Sequence, residues 1–489
     1  MIGKREILDI AATAGLNPHV VEKDYALGWA LAGIFAHPEV SDSWVFKGGT
    51  CLKKCYFETY RFSEDLDFTL MDETHLDAAF LGRVFNDVSE WVYEQTGLEL
   101  PTDKQDFEIF TNSRGSISCQ GKLSYRGPVS PSSGPLPRIK LDLTADEKLV
   151  MAPVRVPIFH PYSDAPSSGV EVLSYAYEEA FGEKVRALAE RTRPRDLYDV
   201  INLYRNEDAR PSPAVLLDVL RQKCDFKGIS VPRDGDLDNH RQALEAGWQH
   251  MLAHQLPALP PVEAFWDALP EFFAWLEGTA TPEIKAAFVS NPNDTVIREH
   301  TIRLPLRSSA QSHLEVIRFA ATNHLCVELG YNGKVRVIEP YSLRRTQDDN
   351  IILHAWSVDA NQHRSYRVDR IDSARTTNQT FVPRYAIELT PGGPISLPPV
   401  VRSASLGSAS HSARPKKPRA VRGFGAPTGP KYIYECSYCG KKFKRKTQTS
   451  TLNPHKDKNG YPCSGRTAMW VDTKYYPVGR DAINRERQN

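Results

Sequence analysis

The sequence predicts a mixed α/β protein of about three folded units, because 489 residues are too many for one hydrophobic core. In the first third, apolar and polar residues alternate around two aspartate-bearing segments, as in half-buried strands. Helical spacing dominates beyond residue 175, and short strand-like runs with turn signals come after residue 290. A cysteine- and histidine-containing tail comes last. These observations predict an α/β domain with a helical C-terminal part, then a small β domain and a zinc-stapled domain.

The first strand is expected around Val45, and it leads into Lys47, Gly48, Gly49 and Thr50. Glycine lacks a Cβ, so a paired-glycine turn brings backbone N–H groups close to phosphate oxygens. The threonine adds a hydroxyl. A Gly-Gly pair alone is commonly only a turn, so its meaning depends on the strands that come after it.

The next two strands carry three carboxylates. Asp65 and Asp67 are one residue apart and share a strand face, and Asp142 shares the polar face of a later strand with Lys140. Carboxylate oxygens on one face suit a hard divalent cation, which neutralises a triphosphate during phosphoryl transfer. We therefore expect Mg²⁺, with Mn²⁺ as an alternative, bound by Asp65, Asp67 and Asp142. The last of these could instead act as a base toward the attacking hydroxyl, and Lys140 could contact phosphate.

A helical segment is predicted next, in which Lys184 lies beside an apolar stripe and could contact a triphosphate. Pro194 is expected to open the next helix. Asp196 and Asp199 lie on one face of that helix, where they could serve the active site or simply stabilise the helix N-terminus. Arg195 could contact phosphate or pair with these acids. Further on, aromatic residues between 262 and 276 recur at helical spacing and are interpreted as core.

Five motifs resemble the AbiEii/AbiGii toxin family over about residues 1–280: Glu22-Lys-Asp-Tyr, Phe46-Lys-Gly-Gly-Thr, Arg61-Phe-Ser-Glu-Asp-Leu-Asp, Glu183-Lys-Val-Arg and Arg193-Pro-Arg-Asp-Leu-Tyr-Asp. The resemblance implies a DNA-polymerase-β-like nucleotidyltransferase fold and a role in bacterial phage defence or toxin–antitoxin biology. It also implies a cognate antitoxin and, for some members, transfer of nucleotides to the 3′ end of tRNA.

The candidate site residues come from the motifs and the resemblance together. The catalytic residues are expected to be Asp65, Asp67, Asp142 and Lys184. The nucleoside triphosphate is expected to contact Lys47, Gly48, Gly49, Thr50, Ser63, Lys140, Arg195, Asp196 and Asp199.

A β-rich segment is predicted from residue 291 to 389. Its strand-like runs include Val316–Phe319, Leu325–Tyr331 and Lys334–Leu343, the last two joined by the turn signal Asn332-Gly333. Residues 315–372 resemble the WYL domain, which implies an Sm-like β-barrel that binds nucleic acid or small ligands. The expected ligand surface comprises Tyr341, Arg344, Arg364, Tyr366 and Arg370. Alternatively, the arginines only pair with neighbouring aspartates.

Residues 390–430 are interpreted as a flexible basic linker, since they are rich in Pro, Gly and Ser and poor in large apolar residues. The whole chain has a net charge of +1, but residues 414–489 carry 18 Lys and Arg against 5 Asp and Glu. This cationic end indicates a nucleic-acid partner, because each neutralised phosphate releases counterions. Phosphate contacts are expected from Lys441, Lys442, Lys444, Arg445 and Lys446.

The tail contains a Cys₃His set: Cys436, Cys439, His455 and Cys463. The Cys-x-x-Cys-Gly turn brings two thiolates to one tetrahedral ion, and three cysteines cannot all form disulfides within the set. With four protein ligands, the zinc would be structural. The His-x₇-Cys spacing differs from a Cys₂His₂ finger, so a base-reading helix is not expected.

The sequence therefore predicts five segments: a nucleotidyltransferase domain (1–205), a helical domain (206–290), a WYL-like domain (291–389), a linker (390–430) and a zinc-binding basic domain (431–489). The expected activity is magnesium-dependent transfer of a nucleotide to RNA at the tRNA 3′ end. One alternative is a ligand-sensing, nucleic-acid-binding regulator whose transferase domain is inert or only senses nucleotides. Another is nucleotidylation of a protein hydroxyl. A cytoplasmic protein without membrane contact is expected, since no apolar stretch is long enough to span a bilayer.

Overall fold

The structure is a computed structural model. It describes residues 1–14, 16–57, 61–112, 114–130, 134–207, 209–283, 285–288, 294–297, 309–389, 429–457 and 462–476. Most of the predicted linker, residues 390–428, lies outside this part of the chain.

The N-terminal half is built on a mixed sheet. Its strands are β1 (Trp44–Lys47), β2 (Asp65–Leu70), β3 (Asp106–Thr111), β4 (Ile117–Ser124), β5 (Arg138–Thr144), β6 (Val154–Pro157) and β7 (Glu171–Ser174). They are arranged in the order β3-β4-β5-β2-β1-β7-β6. β2 runs parallel to β5 and antiparallel to β1, so the carboxylate-bearing strands are central neighbours.

Helices cover this sheet and extend beyond it. The helices of the N-terminal part are α1 (Lys4–Ala14), α2 (Pro18–Ala36), α3 (Gly48–Cys51) and α4 (Ala78–Thr96). From Tyr25 onward α2 is apolar on all sides and buries Tyr25, Trp29 and Ile34, as expected for a helix inside the core. α3 starts directly at the end of β1 and continues into a π-helical turn, Leu52–Tyr56.

The second group of helices matches the helical spacing in the sequence. These helices are α5 (Tyr177–Arg191), α6 (Pro194–Arg205), α7 (Pro213–Lys227), α8 (Arg241–Leu252), α9 (Glu263–Trp266) and α10 (Leu269–Leu276). Pro194 opens α6, as predicted, because its missing N–H costs nothing in the first helical turn. Phe265, Phe272 and Trp275 are buried, so the aromatic run is core.

The third part is an antiparallel sheet with one helix, α11 (Ser309–Thr322). Its strands are β8 (Thr295–Val296), β9 (Leu325–Tyr331), β10 (Lys334–Arg345), β11 (Ile351–Ser357), β12 (Gln362–Arg367) and β13 (Ile371–Thr380). Asn332 and Gly333 both have positive φ and form the expected two-residue hairpin turn.

One expectation for this part needs correction, and a second finds no support among the described strands. The segment predicted as the strand Val316–Phe319 lies inside helix α11, where Leu314 and Ile317 are buried. A short apolar run has no periodicity of its own, and tertiary packing decides its structure. The described strands have the order β12-β11-β10-β9-β13, with β8 beside β10. This order is an open sheet, and no closure into a barrel is seen among these strands.

The tail forms β14 (Gly429–Cys436), β15 (Lys442–Arg445), β16 (His455–Lys456), β17 (Pro462–Cys463) and β18 (Ala468–Tyr476). β15, β14 and β18 extend the N-terminal sheet, because Tyr475 of β18 pairs with Thr111 of β3. The tail thus docks on the edge of the aspartate-bearing sheet. Within the described part of the chain, no helix combines the length and apolar character needed to cross a bilayer.

Candidate active site

The three predicted carboxylates converge on neighbouring strands. In the parallel pairing of β2 with β5, Asp67 lies opposite Asp142 and Asp65 lies opposite Lys140. All four side chains share the polar face that alternation predicts, with Leu66 and Leu141 buried on the other face. The Lys140 ammonium is 3.3 Å from Asp65 Oδ1.

The electrostatics of this face fit a bound cation. Burial, together with the charges of Asp142 and Asp65, raises the pKa of Asp67 from 3.8 to about 7. Burial and the charge of Asp65 likewise raise the pKa of Asp142. Asp65 Oδ1 is shielded from solvent and, among the described residues, accepts no hydrogen bond beyond its ion pair with Lys140. Carboxylates crowded in this way suit a hard divalent ion such as Mg²⁺.

The glycine turn lies directly against these carboxylates. Gly48 has φ +82°, and a Cβ there would be 2.0 Å from Asp67 Oδ2. At Gly49, a Cβ would be 2.7 Å from a guanidinium nitrogen of Arg61 and 3.1 Å from Ser63 Oγ. Thr50 Oγ1 donates to the backbone carbonyl of Asp65 at 2.5 Å, which ties α3 to β2. Gly48 is therefore required by both its positive φ and the close approach of Asp67, whereas a side chain at Gly49 would require the end of Arg61 to move.

Lys184 reaches the site from α5 and is anchored by a buried aspartate. Its Nζ is 2.7 Å from Asp199 Oδ2, and its positive charge offsets part of the rise in the pKa of Asp67. The Arg61 guanidinium donates to both oxygens of Asp199, at 2.7 and 2.8 Å. Despite burial, Arg61 and Lys184 hold the pKa of Asp199 well below its ordinary value. Asp199 thus holds the side chains of Arg61 and Lys184 in place next to the carboxylates.

Two other predicted nucleotide contacts are engaged internally. Asp196 is buried and accepts two hydrogen bonds from Arg191, at 2.7 and 2.8 Å. Lys47 is buried, with its Nζ 3.5 Å from Glu147 Oε1. Both have formed charge partners, and their roles toward a nucleotide stay predictions.

The motif beginning at Glu22 mainly holds the structure together. Asp24 accepts from Lys54 at 2.7 Å and from Tyr162 at 2.9 Å, within the core. Glu22 accepts from the backbone N–H of Val129 at 2.6 Å and so fixes the loop before β5. A motif in sequence does not reveal whether its charges face a ligand or each other.

A cleft of about 1190 Å³ opens beside Asp65. Ser63, Lys140 and Arg195 line it, as do residues that sequence reasoning did not assign, including Lys23 and Glu64. Arg195 donates to the carbonyl of Met251 at 3.3 Å. The tail forms part of the lining, with Tyr438, Cys439, Gly440 and Lys442. No sequence signal pointed to this contact, because it joins the tail to segments far earlier in the chain, between Leu16 and Leu256.

The tail also reaches Asp142 indirectly. Lys474 of β18 is buried and donates to Gln120 Oε1 at 2.7 Å, and Gln120 in turn hydrogen-bonds to Asp142. Burial lowers the pKa of Lys474 to about 8. The third carboxylate is therefore linked by one glutamine to a lysine of the tail.

The four predicted zinc ligands come together. The ligand atoms of Cys436, Cys439, His455 and Cys463 all lie within 4.8 Å of one another. His455 Nδ1 is 3.0 Å from the carbonyl of Asn453, which leaves Nε2 toward the thiols. Gly440 has φ +64° and closes the Cys-x-x-Cys turn through a 2.9 Å hydrogen bond to the carbonyl of Cys436. The set fits a tetrahedral Zn²⁺.

The basic residues of the tail point in different directions. Lys442 faces the cleft. Lys444 is 2.6 Å from Glu108 on β3 and anchors the tail to the sheet. Lys441 donates to the carbonyl of Lys456, and Arg445 donates to Thr449. Lys446 is exposed. One of the five thus lines the cleft.

The expected ligand surface of the third part is not assembled. Tyr341 is fully buried and stacks on Phe288 at 4.9 Å. Arg344 is buried in an ion pair with Glu388 at 2.7 Å. Tyr366 is also buried, whereas Arg364 and Arg370 are exposed. The alternation of residue types along the strands could not predict which of these side chains are buried, because both faces of this sheet are partly covered.

Comparison with known proteins identifies the parts of the chain. Residues 29–277, just over half of the chain, match the family described as nucleotidyl transferase AbiEii toxin of type IV toxin–antitoxin systems. Residues 312–376 match the WYL domain. No curated protein matched the chain. Among solved structures, the chain is similar to MenT4, a nucleotidyltransferase toxin from Mycobacterium tuberculosis H37Rv, at 18% identity and a TM-score of 0.36. That similarity covers 57% of this chain and 90% of the other. The chain belongs to the AbiEii nucleotidyltransferase toxin family and carries a WYL domain.

Proposed function

We propose that this protein is a magnesium-dependent toxin that transfers a nucleotide from a nucleoside triphosphate to an RNA acceptor, with the 3′ end of tRNA as its target. The observation that carries this proposal is the convergence of Asp65, Asp67 and Asp142 on adjacent strands, next to a glycine turn that has no room for a Cβ. Such a site holds a triphosphate in position and neutralises its charge, which is most of what phosphoryl transfer requires.

The proposed roles reflect the positions of the groups. Asp65, Asp67 and Asp142 would hold Mg²⁺, which supplies charge neutralisation of the triphosphate when bound. The backbone N–H groups at the start of α3, that of Thr50 included, and the Ser63 hydroxyl would donate to phosphate oxygens, while the Thr50 hydroxyl holds α3 against β2. Lys140 and Lys184 would add positive charge on either side, with Lys184 held in place by Asp199.

The acceptor is proposed to be RNA because the tail is strongly cationic and docks beside the carboxylates. The Cys₃His set would bind one structural Zn²⁺ that holds this segment together. Membership in a type IV toxin family also leads us to propose a cognate antitoxin, and the WYL domain a nucleic-acid or small-ligand partner. The five segments with boundaries at 205, 290, 389 and 430 are proposed as the domain division.

The test is incubation with each α-³²P-labelled nucleoside triphosphate, Mg²⁺ and total RNA, after which RNA 3′ ends are sequenced. Wild-type protein should label RNA, and Asp65→Ala or Asp67→Ala should reduce labelling at least about 100-fold while circular dichroism stays unchanged. Asp103→Ala is the matched control, since this aspartate is exposed and pairs with its neighbour Lys104.

Two outcomes separate the alternatives. Label that survives ribonuclease and is lost with protease would make a protein hydroxyl the acceptor. Absence of label on any polymer, together with a gel shift of RNA or DNA that changes with nucleotide, would favour the ligand-sensing regulator.

A further inference from the structure

The Cys₃His module, residues 429–476, is anchored on the catalytic sheet at two places near Asp142. Lys444 pairs with Glu108 on β3, and the buried Lys474 donates to Gln120 on β4. The Lys474 ammonium also lies 3.7 Å from the ring centroid of Phe110. Together with the backbone pairing between β18 and β3, these contacts fix the module beside the carboxylates rather than on a free tether.

The module forms one wall of the cleft, and the cleft is electropositive. The lining includes six lysines and arginines against four acids. One of these acids, Glu64, already pairs with Lys23 at 3.4 Å and has the His254 ring 3.3 Å away. Lys442 of the module lines the same cleft as Arg193 and Arg195 at the start of α6. A polyanion entering here would neutralise these cations.

An aromatic side chain accompanies the cations. Tyr438 lies in the Cys-x-x-Cys turn, lines the cleft and is 52% exposed. Its ring centroid is 5.2 Å from that of His250 on α8. An exposed ring within a cationic groove is the usual platform on which a nucleobase stacks in single-stranded nucleic-acid sites. The cleft is open and large enough to admit a strand rather than a single small anion.

We propose that the Cys₃His module is the acceptor-binding wall of the active site. A single-stranded RNA end lies between Lys442 and Tyr438 on the module and Arg193 and Arg195 at the start of α6, and its terminal hydroxyl is directed toward Asp65. This inference rests on the proposed function and adds where the acceptor binds and which residues bind it.

The test measures binding without nucleotide, so it is independent of transfer. A 5′-fluorescein-labelled single-stranded RNA of about twelve nucleotides is titrated with full-length zinc-loaded protein, and fluorescence anisotropy is recorded at several salt concentrations. We expect Lys442→Ala and Tyr438→Ala to weaken binding about 5- to 50-fold, within the range seen for lost phosphate contacts and base stacking. Lys442→Ala should also lower the slope of log Kd against log salt by about one.

The chain supplies matched controls within the same module. Lys456 is an exposed lysine and Trp470 is a 54% exposed aromatic residue, and neither is among the residues that line the cleft. Lys456→Ala and Trp470→Ala should change binding less than about twofold. Zinc content and melting temperature, measured for every variant, show that the module remains folded.

The outcomes distinguish this inference from the proposed function. If wild-type protein binds RNA at Lys442 and Tyr438 but labels no RNA, the proposed transferase function is wrong and the proposed RNA-binding site is supported. If wild-type protein labels RNA but the control variants weaken binding as much as Lys442→Ala, the acceptor wall is overturned. It is also overturned if Lys442→Ala raises the KM for the nucleotide and leaves RNA affinity unchanged.

Discussion

Asp67 and Asp142 lie opposite each other on the parallel strands β2 and β5, and burial together with like charge raises the pKa of both. Two carboxylates held this close resist simultaneous ionisation. The protein therefore stores electrostatic repulsion at the position where a cation would relieve it. This relationship gives the site a pH dependence that can be measured without any assay of transfer.

Asp67→Asn should stabilise the metal-free protein at neutral and alkaline pH. The pKa of Asp67 rises from 3.8 to about 7 on folding, so the folded state retains a proton that the unfolded state releases. The stabilising contribution of the protonated Asp67 carboxyl is fully present below about pH 4. It is lost as the pH rises through about 7, which lowers the free energy of unfolding by at most about 4 kcal/mol. Thermal unfolding in EDTA at pH 5.5, 7 and 8.5 should show a smaller loss of Tm for Asp67→Asn than for wild type.

The same variant provides the metal test. Mg²⁺ at pH 8 should raise the Tm of the wild type, because binding to the folded state alone is stabilising, and should raise that of Asp67→Asn much less. If both proteins respond equally to Mg²⁺, the ion is held elsewhere. If Asp67→Asn instead lowers the Tm in EDTA at pH 8.5, the assigned repulsion between the carboxylates is wrong.

Gly48→Ala should disable the site through sterics alone. The residue has φ +82°, and the added methyl would be 2.0 Å from Asp67 Oδ2. We expect a loss of about 1–3 kcal/mol of stability and at least about a tenfold fall in transfer. Gly82→Ala is the control, since this glycine lies in helix α4 with nothing within 4 Å of the new methyl, and should stabilise by about 0.5–1 kcal/mol. Equal effects at both positions would contradict the close contact at Gly48.

Asp199→Ala should mainly lower the stability of the folded protein. It leaves Arg61 and Lys184 buried without their shared carboxylate, which costs about 3–5 kcal/mol, or roughly 6–20 °C in the Tm of this unit. The pKa of Asp199 is lowered, so its contribution is present at neutral pH and is lost in acid as the carboxylate protonates. Asp9→Ala, at an exposed pair with Arg5, should change the Tm by less than about 2 °C. Unchanged stability in Asp199→Ala would mean that the aspartate serves a ligand instead.

The parts predictable from sequence were those in which local pattern determines geometry. Alternation placed Asp65 and Asp67 on one face, and a second alternating run placed Asp142 and Lys140 there too, because a strand has a fixed period of two. Ligand spacing likewise identified the Cys₃His set.

The features that the sequence did not predict depend on contacts between segments that are far apart in the chain. Asp199 forms its ion pair with Arg61 across 138 residues, and Lys474 meets Gln120 across 354 residues, so neither partnership leaves a mark on local sequence. Helix α11 replaced a predicted strand for the same reason, since packing against the sheet outweighs weak local preference. The position of the Cys₃His module beside the carboxylates likewise depends on contacts between distant segments, so the local sequence did not predict it.

Cys439→Ser should release zinc and unfold the C-terminal module while leaving the N-terminal sheet intact. The module has a small core of its own around Tyr434, Leu452 and Ala468, too small to fold without a staple. Mass spectrometry of metal content should give one zinc per wild-type chain and less than about 0.2 for Cys439→Ser, and limited proteolysis should then cleave within residues 429–476. Cys224→Ser removes a buried thiol in helix α7, outside the Cys₃His set, and should retain zinc. Retention of one zinc by Cys439→Ser, or a loss of zinc in Cys224→Ser as well, would contradict a four-ligand site and would require the ion to be bound by other residues.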